Sequence, residues 1–102
     1  MANLMKAADR ADVSPGEGKC VQVAGKAIAL FNVDGNFFAI DNTCVHRGGP
    51  LGEGSLDGSI VTCPWHGWKY DCRSGQSTSA PGKSVASYPV QVQGSDVLVD
   101  VG

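Results

Sequence analysis

The sequence predicts an all-β protein folded as one domain, and three observations carry that prediction. Twelve Val and three Ile stand against five Leu and two Met, an excess of β-branched side chains that suits a pleated, half-buried surface. Apolar and polar residues alternate with a period of two in several short stretches, as they do where one face of a strand is buried. Turn residues cut these stretches at short intervals, leaving room for roughly eight to ten short strands. A chain of 102 residues has interior for one core, so residues 1–102 are expected to form a single domain.

The amino-terminal MANLMKAADRADV has no long apolar run. It therefore predicts neither a secretory signal nor a membrane anchor, and the chain reads as cytoplasmic. Asp9 to Val13 is expected to form one helical turn, and Ser14-Pro15-Gly16 a tight turn. Val21 and Val23 around Gln22 predict a strand that ends at Gly25. KAIALFNV, in which Ile28 and Leu30 are interleaved with Ala29, and NFFAID flank Asp34-Gly35. That dipeptide accepts the positive φ angles of a two-residue hairpin turn, making it the strongest hairpin signal in the chain. Asp57-Gly58, Ser74-Gly75 and Pro81-Gly82 mark further turns. Residues from about 41 to 75 are crowded with glycine and read as a loop-built module set into the sheet scaffold. Gln76 to Ser87, rich in Ser, Gly and Pro, is expected to be the loosest part, a surface loop. Tyr88, Val90 and Val92 alternate with Gln91 and Gln93, and after Gly94-Ser95-Asp96 the residues Val97, Val99 and Val101 predict the last strand.

Bulk composition narrows the function classes. An apolar fraction of 42% with 18% charged residues belongs to a folded chain rather than a disordered one. A net charge of -2 supplies no basic field for phosphates, which argues against a nucleic-acid partner. Neither a Gly-x-Gly-x-x-Gly fingerprint nor a phosphate loop is present for a nucleotide.

The chemistry is concentrated in two short pieces. Cys44-x-His46 and, sixteen residues later, Cys63-x-x-His66 contain both histidines and two of the four cysteines. A thiolate and an imidazole this close in sequence converge on one centre from a single loop, and two such pairs form a metal-ligand set. A structural zinc site would use all four in one tetrahedron. An iron–sulfur cluster needs in addition backbone N–H groups around its charged sulfurs. Gly48, Gly49, Gly52 and Gly67 remove side chains where the backbone would approach, and Pro50 and Pro64 stiffen the loops.

Cys44-Val45-His46-Arg47-Gly48-Gly49-Pro50-Leu51 together with Cys63-Pro64-Trp65-His66-Gly67-Trp68 resembles the paired motif of Rieske 2Fe-2S proteins, Cys-x-His and Cys-Pro-x-His-Gly. The resemblance implies an antiparallel β-sandwich of three small sheets, with the cluster-binding subdomain at about 41–75. It further implies that Cys44 and Cys63 hold the inner iron and His46 and His66 the outer one near the surface. Two thiolates and two neutral imidazoles leave the oxidised cluster formally uncharged, so it accepts an electron more readily than a four-thiolate cluster. Respiratory members of the family have a disulfide and a serine where this chain has Gly49, Trp65 and Trp68. Tyr70 matches a tyrosine that in those members donates to a ligand cysteine. With fewer dipoles at the sulfurs, the potential is expected at the low end of the Rieske range, about -150 mV or a little above.

The same resemblance implies a ferredoxin with no catalytic residues of its own that passes one electron at a time from a flavin-dependent NAD(P)H reductase to a terminal Rieske oxygenase of aromatic hydrocarbon catabolism; a monomer is expected, though the sequence itself does not fix the oligomeric state. Terminal oxygenases add a mononuclear iron held by two histidines and a carboxylate, and the two histidines here are already assigned. Two alternatives stand beside this reading: the small Rieske subunit of an NAD(P)H nitrite reductase, and a structural zinc module. Arg47, Pro50, Leu51 and Trp65 are the candidates for partner docking, with packing over the cluster as the other role for Leu51 and Trp65. Cys20 reads as a buried core residue and Cys72 as a hairpin-end residue, with no disulfide expected between them.

Overall fold

The computed structural model describes residues 4–44, 49–65, 67–79 and 82–100. Ten strands are present among them: β1 (Leu4–Asp9), β2 (Gly18–Val23), β3 (Lys26–Val33), β4 (Asn36–Asp41), β5 (Ser55–Asp57), β6 (Ile60–Thr62), β7 (Lys69–Asp71), β8 (Ser87–Tyr88), β9 (Val90–Gln93) and β10 (Asp96–Asp100). They form three antiparallel sheets, ordered β1-β10-β9, β2-β3-β4-β8 and β5-β6-β7. The only helical pieces among the described residues are 3-10 turns at Arg10–Asp12 and Leu51–Glu53. The first is the expected turn before Val13. Among the described residues no helix is long and apolar enough to cross a membrane. Val101 and Pro81, assigned above to a strand and a turn, lie outside the described residues.

The hairpin at Asp34-Gly35 is as expected: Val33 pairs with Asn36, and φ is 52° at Asp34 and 90° at Gly35. A second turn of the same kind joins β2 to β3, where Val23 pairs with Lys26 and Ala24 takes φ 51°. Gly25 signalled that turn, but nothing marks Ala24 as left-handed, a conformation that costs an ordinary L-residue about 1 kcal/mol. Ser14-Pro15-Gly16 also closes as expected, with the Glu17 amide donating to the Ser14 carbonyl at 3.0 Å.

The sheet of β2, β3, β4 and β8 lies in the middle of the molecule. One face of β3 sends Ile28 and Leu30 into a core shared with Val97 and Val99 of β10, Ala8 of β1 and Val13. The other face sends Ala29 and Phe31 into a second core with Leu51, Val61, Tyr70, Cys44 and Cys63. Both faces of β3 are therefore buried, and the alternation of Ile28-Ala29-Leu30 separates two cores rather than core from solvent. Asn32 is 4% exposed at the end of this buried run. Its amide donates to the Val13 carbonyl at 2.8 Å, and its side-chain oxygen accepts from Gly35 N–H at 2.7 Å, so its burial leaves neither end of the amide wanting.

The 76–87 segment is tied down more firmly than its composition suggested. Ser77 N–H donates to the Lys83 carbonyl and Thr78 N–H to the Lys69 carbonyl, both at 2.9 Å, and Val85 is buried in the second core. Gly75, at φ 81°, sits against the Val85 carbonyl where a Cβ would collide. Backbone pairing across β7, which composition does not report, holds the segment.

Replacing exposed Ala24 by Asn puts a residue that tolerates φ 51° ahead of Gly25. Ala24→Asn is expected to raise the unfolding free energy by about 0.5–1 kcal/mol, measured by chemical denaturation.

Candidate metal centre

Two loops leave the second core side by side. The first follows β4, and an isolated bridge between Thr43 and Pro50 closes its base. Within it Cys44 N–H donates to the Gly49 carbonyl at 3.0 Å. The second loop joins β6 to β7, and here Cys63 N–H donates to the Trp68 carbonyl at 2.7 Å. In each loop the cysteine amide reaches the carbonyl five residues ahead, so the loops close alike. His46 with Val45, Arg47 and Gly48, and His66 in the second loop, lie outside the described residues.

The loops touch. A Cβ on Gly49 would lie 2.6 Å from Cys63 Sγ and 3.1 Å from Trp65 Cγ, so glycine is required there for space. Cys44 is 2% exposed and Cys63 is 3% exposed. Tyr70, fully buried on β7, places its hydroxyl 3.2 Å from Cys44 Sγ. When that sulfur is a thiolate it has no proton, so the tyrosine must be the donor. None of the four cysteines, all of them described, is in a disulfide. The positions of Gly49 and Trp65, which in respiratory relatives would be joined by a disulfide, are here filled by an indole lying on a bare backbone.

The Rieske [2Fe-2S] domain matches residues 3–89. The chain belongs to this family. Over 114 residues it is 37% identical to the ferredoxin component of the p-cumate 2,3-dioxygenase system of Pseudomonas putida, covering 100% of this chain and 97% of the relative. It is 41% identical over 97 residues to the biphenyl dioxygenase ferredoxin subunit of Pseudomonas sp. (strain KKS102), covering 93% and 89%. Among solved structures, one from a complex of reduced oxygenase and oxidised ferredoxin in carbazole 1,9a-dioxygenase superposes with TM-score 0.86 at 31% identity, over 94% of this chain and 91% of that one. The three-sheet Rieske fold expected from the motifs is thus the fold observed, and the cofactor is one Rieske-type 2Fe-2S cluster. The zinc alternative falls with that assignment.

The residues present fit such a cluster. The buried thiols of Cys44 and Cys63 would offer it two sulfur ligands shielded from water, and the missing Cβ at Gly49 leaves backbone beside one of them. A buried charged thiolate is costly unless a cation neutralises it, and a bound iron would do so.

Two expectations are corrected. Leu51 is fully buried in the second core, so of its two roles it packs beneath the loops and presents nothing to a partner. Trp65, by contrast, is 57% exposed. Cys20 is only half-buried, because β2 lies at the edge of the middle sheet. Its thiol donates to Asn42 Oδ1 at 3.1 Å, and burial pushes its pKa up. Cys72 is fully buried beside the turn after β7, and burial, followed by the neighbouring Asp71 carboxylate, pushes its thiol up to about 11. Both of these thiols are thus held toward the protonated form, away from the two loops that carry the Cys/His pairs.

Sequence reasoning missed Asn42. It accepts from Leu51 N–H through its carbonyl at 2.8 Å and from Gly52 N–H through its side chain at 2.7 Å. An Asn two residues before a candidate ligand cysteine was the available signal, but loop asparagines are too common to single out.

Loss of the Tyr70 hydroxyl removes a donor that favours the more negative, reduced state. Tyr70→Phe is expected to retain the cluster and lower its potential by about 30 mV, roughly 0.7 kcal/mol for one electron, read by redox titration followed in the visible spectrum.

Proposed function

We propose that this chain is a soluble, cytoplasmic one-electron carrier, taking electrons from a flavin-dependent NAD(P)H reductase and delivering them to a terminal Rieske oxygenase that acts on an aromatic compound. Cys44 and Cys63 hold the inner iron and His46 and His66 the outer one, within a single domain whose cluster-binding part is residues 41–75. When bound, the cluster takes up and returns one electron.

The observation that carries this reading is the pair of alike-closed loops meeting at Gly49 and Cys63. It occurs in a chain 37% and 41% identical to ferredoxin components of dioxygenase systems. The carbazole dioxygenase relative, at 31% identity, comes from a complex of an oxygenase and a ferredoxin, and that favours the oxygenase as acceptor. The chain's own residues keep water from the sulfurs and hold the loops at fixed separation, so little rearrangement accompanies a change of charge. Trp65, exposed beside the second ligand cysteine, gives a rigid aromatic contact of the kind enriched at interfaces. With two histidines in the whole chain, both assigned to the cluster, no imidazole remains for a substrate-oxidising iron.

The purified protein is expected to contain two irons and two sulfides per chain, and the reduced form to be reoxidised in a stopped-flow experiment by a substrate-loaded aromatic-ring oxygenase. Stable co-purification with a large haem and flavin subunit, without transfer to any such oxygenase, would contradict the proposal in favour of a reductase subunit.

A further inference from the structure

We propose that Asn42 is a positioning residue that fixes the gap between the two ligand loops, through a clamp completed by Cys20 and Gly52. The inference rests on the reading that these loops carry the cluster.

Asn42 ends the run from β4 into the first loop, and its own N–H donates to the Ala27 carbonyl of β3 at 3.1 Å. It is thereby anchored to the middle sheet. Its carbonyl and its side-chain oxygen then take the amides of Leu51 and Gly52, the first residues after Pro50. One side-chain oxygen accepts from both Gly52 N–H at 2.7 Å and the Cys20 thiol at 3.1 Å. Gly52 is pressed onto β2: a Cβ there would lie 2.7 Å from Cys20 Sγ and 2.8 Å from the Cys20 nitrogen. The returning arm of the loop is therefore held from beneath by Leu51 in the core and from the side by β2. Among the described residues, Asn42 bonds both of its leading amides.

The consequence reaches the metal site along the chain. Three residues before Gly52 stands Gly49, whose carbonyl closes the loop onto Cys44 and whose Cα faces Cys63 Sγ and the Trp65 ring. A shift of the arm changes that separation. Side-chain partners that orient ligands without touching the metal commonly change metal retention by about tenfold or more when removed.

The test compares holoprotein variants by the rate of cluster loss to a chelator and by the electron paramagnetic resonance of the reduced state. Asn42→Ala is expected to lose its cluster roughly tenfold faster and to show shifted g-values. Asn42→Asp, which keeps an oxygen for Gly52 and Cys20, is expected to restore both. Should Asn42→Ala fail to fold, Cys20→Ala and Cys20→Ser give the same comparison at one bond: faster loss in the first, recovery in the second, whose hydroxyl still donates. Variants that melt at lower temperature yet keep the wild-type spectrum and loss rate would overturn the positioning role. A wild-type protein without a two-iron cluster would instead overturn the reading beneath it.

Discussion

The contact on which the structure depends is the approach of the Gly49 backbone to the sulfur of Cys63. It brings together two successive loops of the chain, and it requires that nothing larger than hydrogen project from residue 49. In each loop the cysteine amide is bonded to a carbonyl five residues on, so the contact joins two closed edges. The Cys44 and Cys63 thiols are both buried in the second core, where they are costly as free anions. An iron bound by them would remove that cost, and under the proposed ligation two neutral imidazoles would add no charge to it.

The rest of the fold serves to hold that contact. The middle sheet has a core on each face, and β3 contributes to both, so the cluster-bearing module rests on a strand that cannot shift without disturbing the opposite core. Leu51 and Tyr70 belong at once to the second core and to the site: one lies under the returning arm of the first loop, and the other points its hydroxyl at Cys44. Burying such side chains contributes about 1.5–3 kcal/mol each, and the same burial fixes the sulfur position. Stability and ligand geometry are thus supplied by the same residues.

The strands and hairpins were largely legible in the sequence, because period-two alternation and paired turn residues are local signals. Asp34-Gly35 states its turn outright. Ala24 does not, since its left-handed conformation is imposed by the register of β2 on β3. Alternation in β3 was visible, but one chain position cannot reveal whether its far face meets water or a second core. The candidate ligands stood out through the two Cys/His pairs. Leu51 and Trp65, both apolar and both near the motifs, could not be told apart until tertiary packing buried one and left the other in solvent. Asn42 escaped notice, and Cys20 was read only as a core residue, because their hydrogen bond forms only where β2, with Cys20 and Asn42 22 residues apart in the chain, comes back beside the first loop.

The most direct test of the account is pulsed electron paramagnetic resonance on the reduced protein, prepared with nitrogen-15 in histidine alone. Ligation by His46 and His66 predicts two distinct, strongly coupled histidine nitrogens on the electron spin. A reduced cluster with no histidine coupling would contradict it.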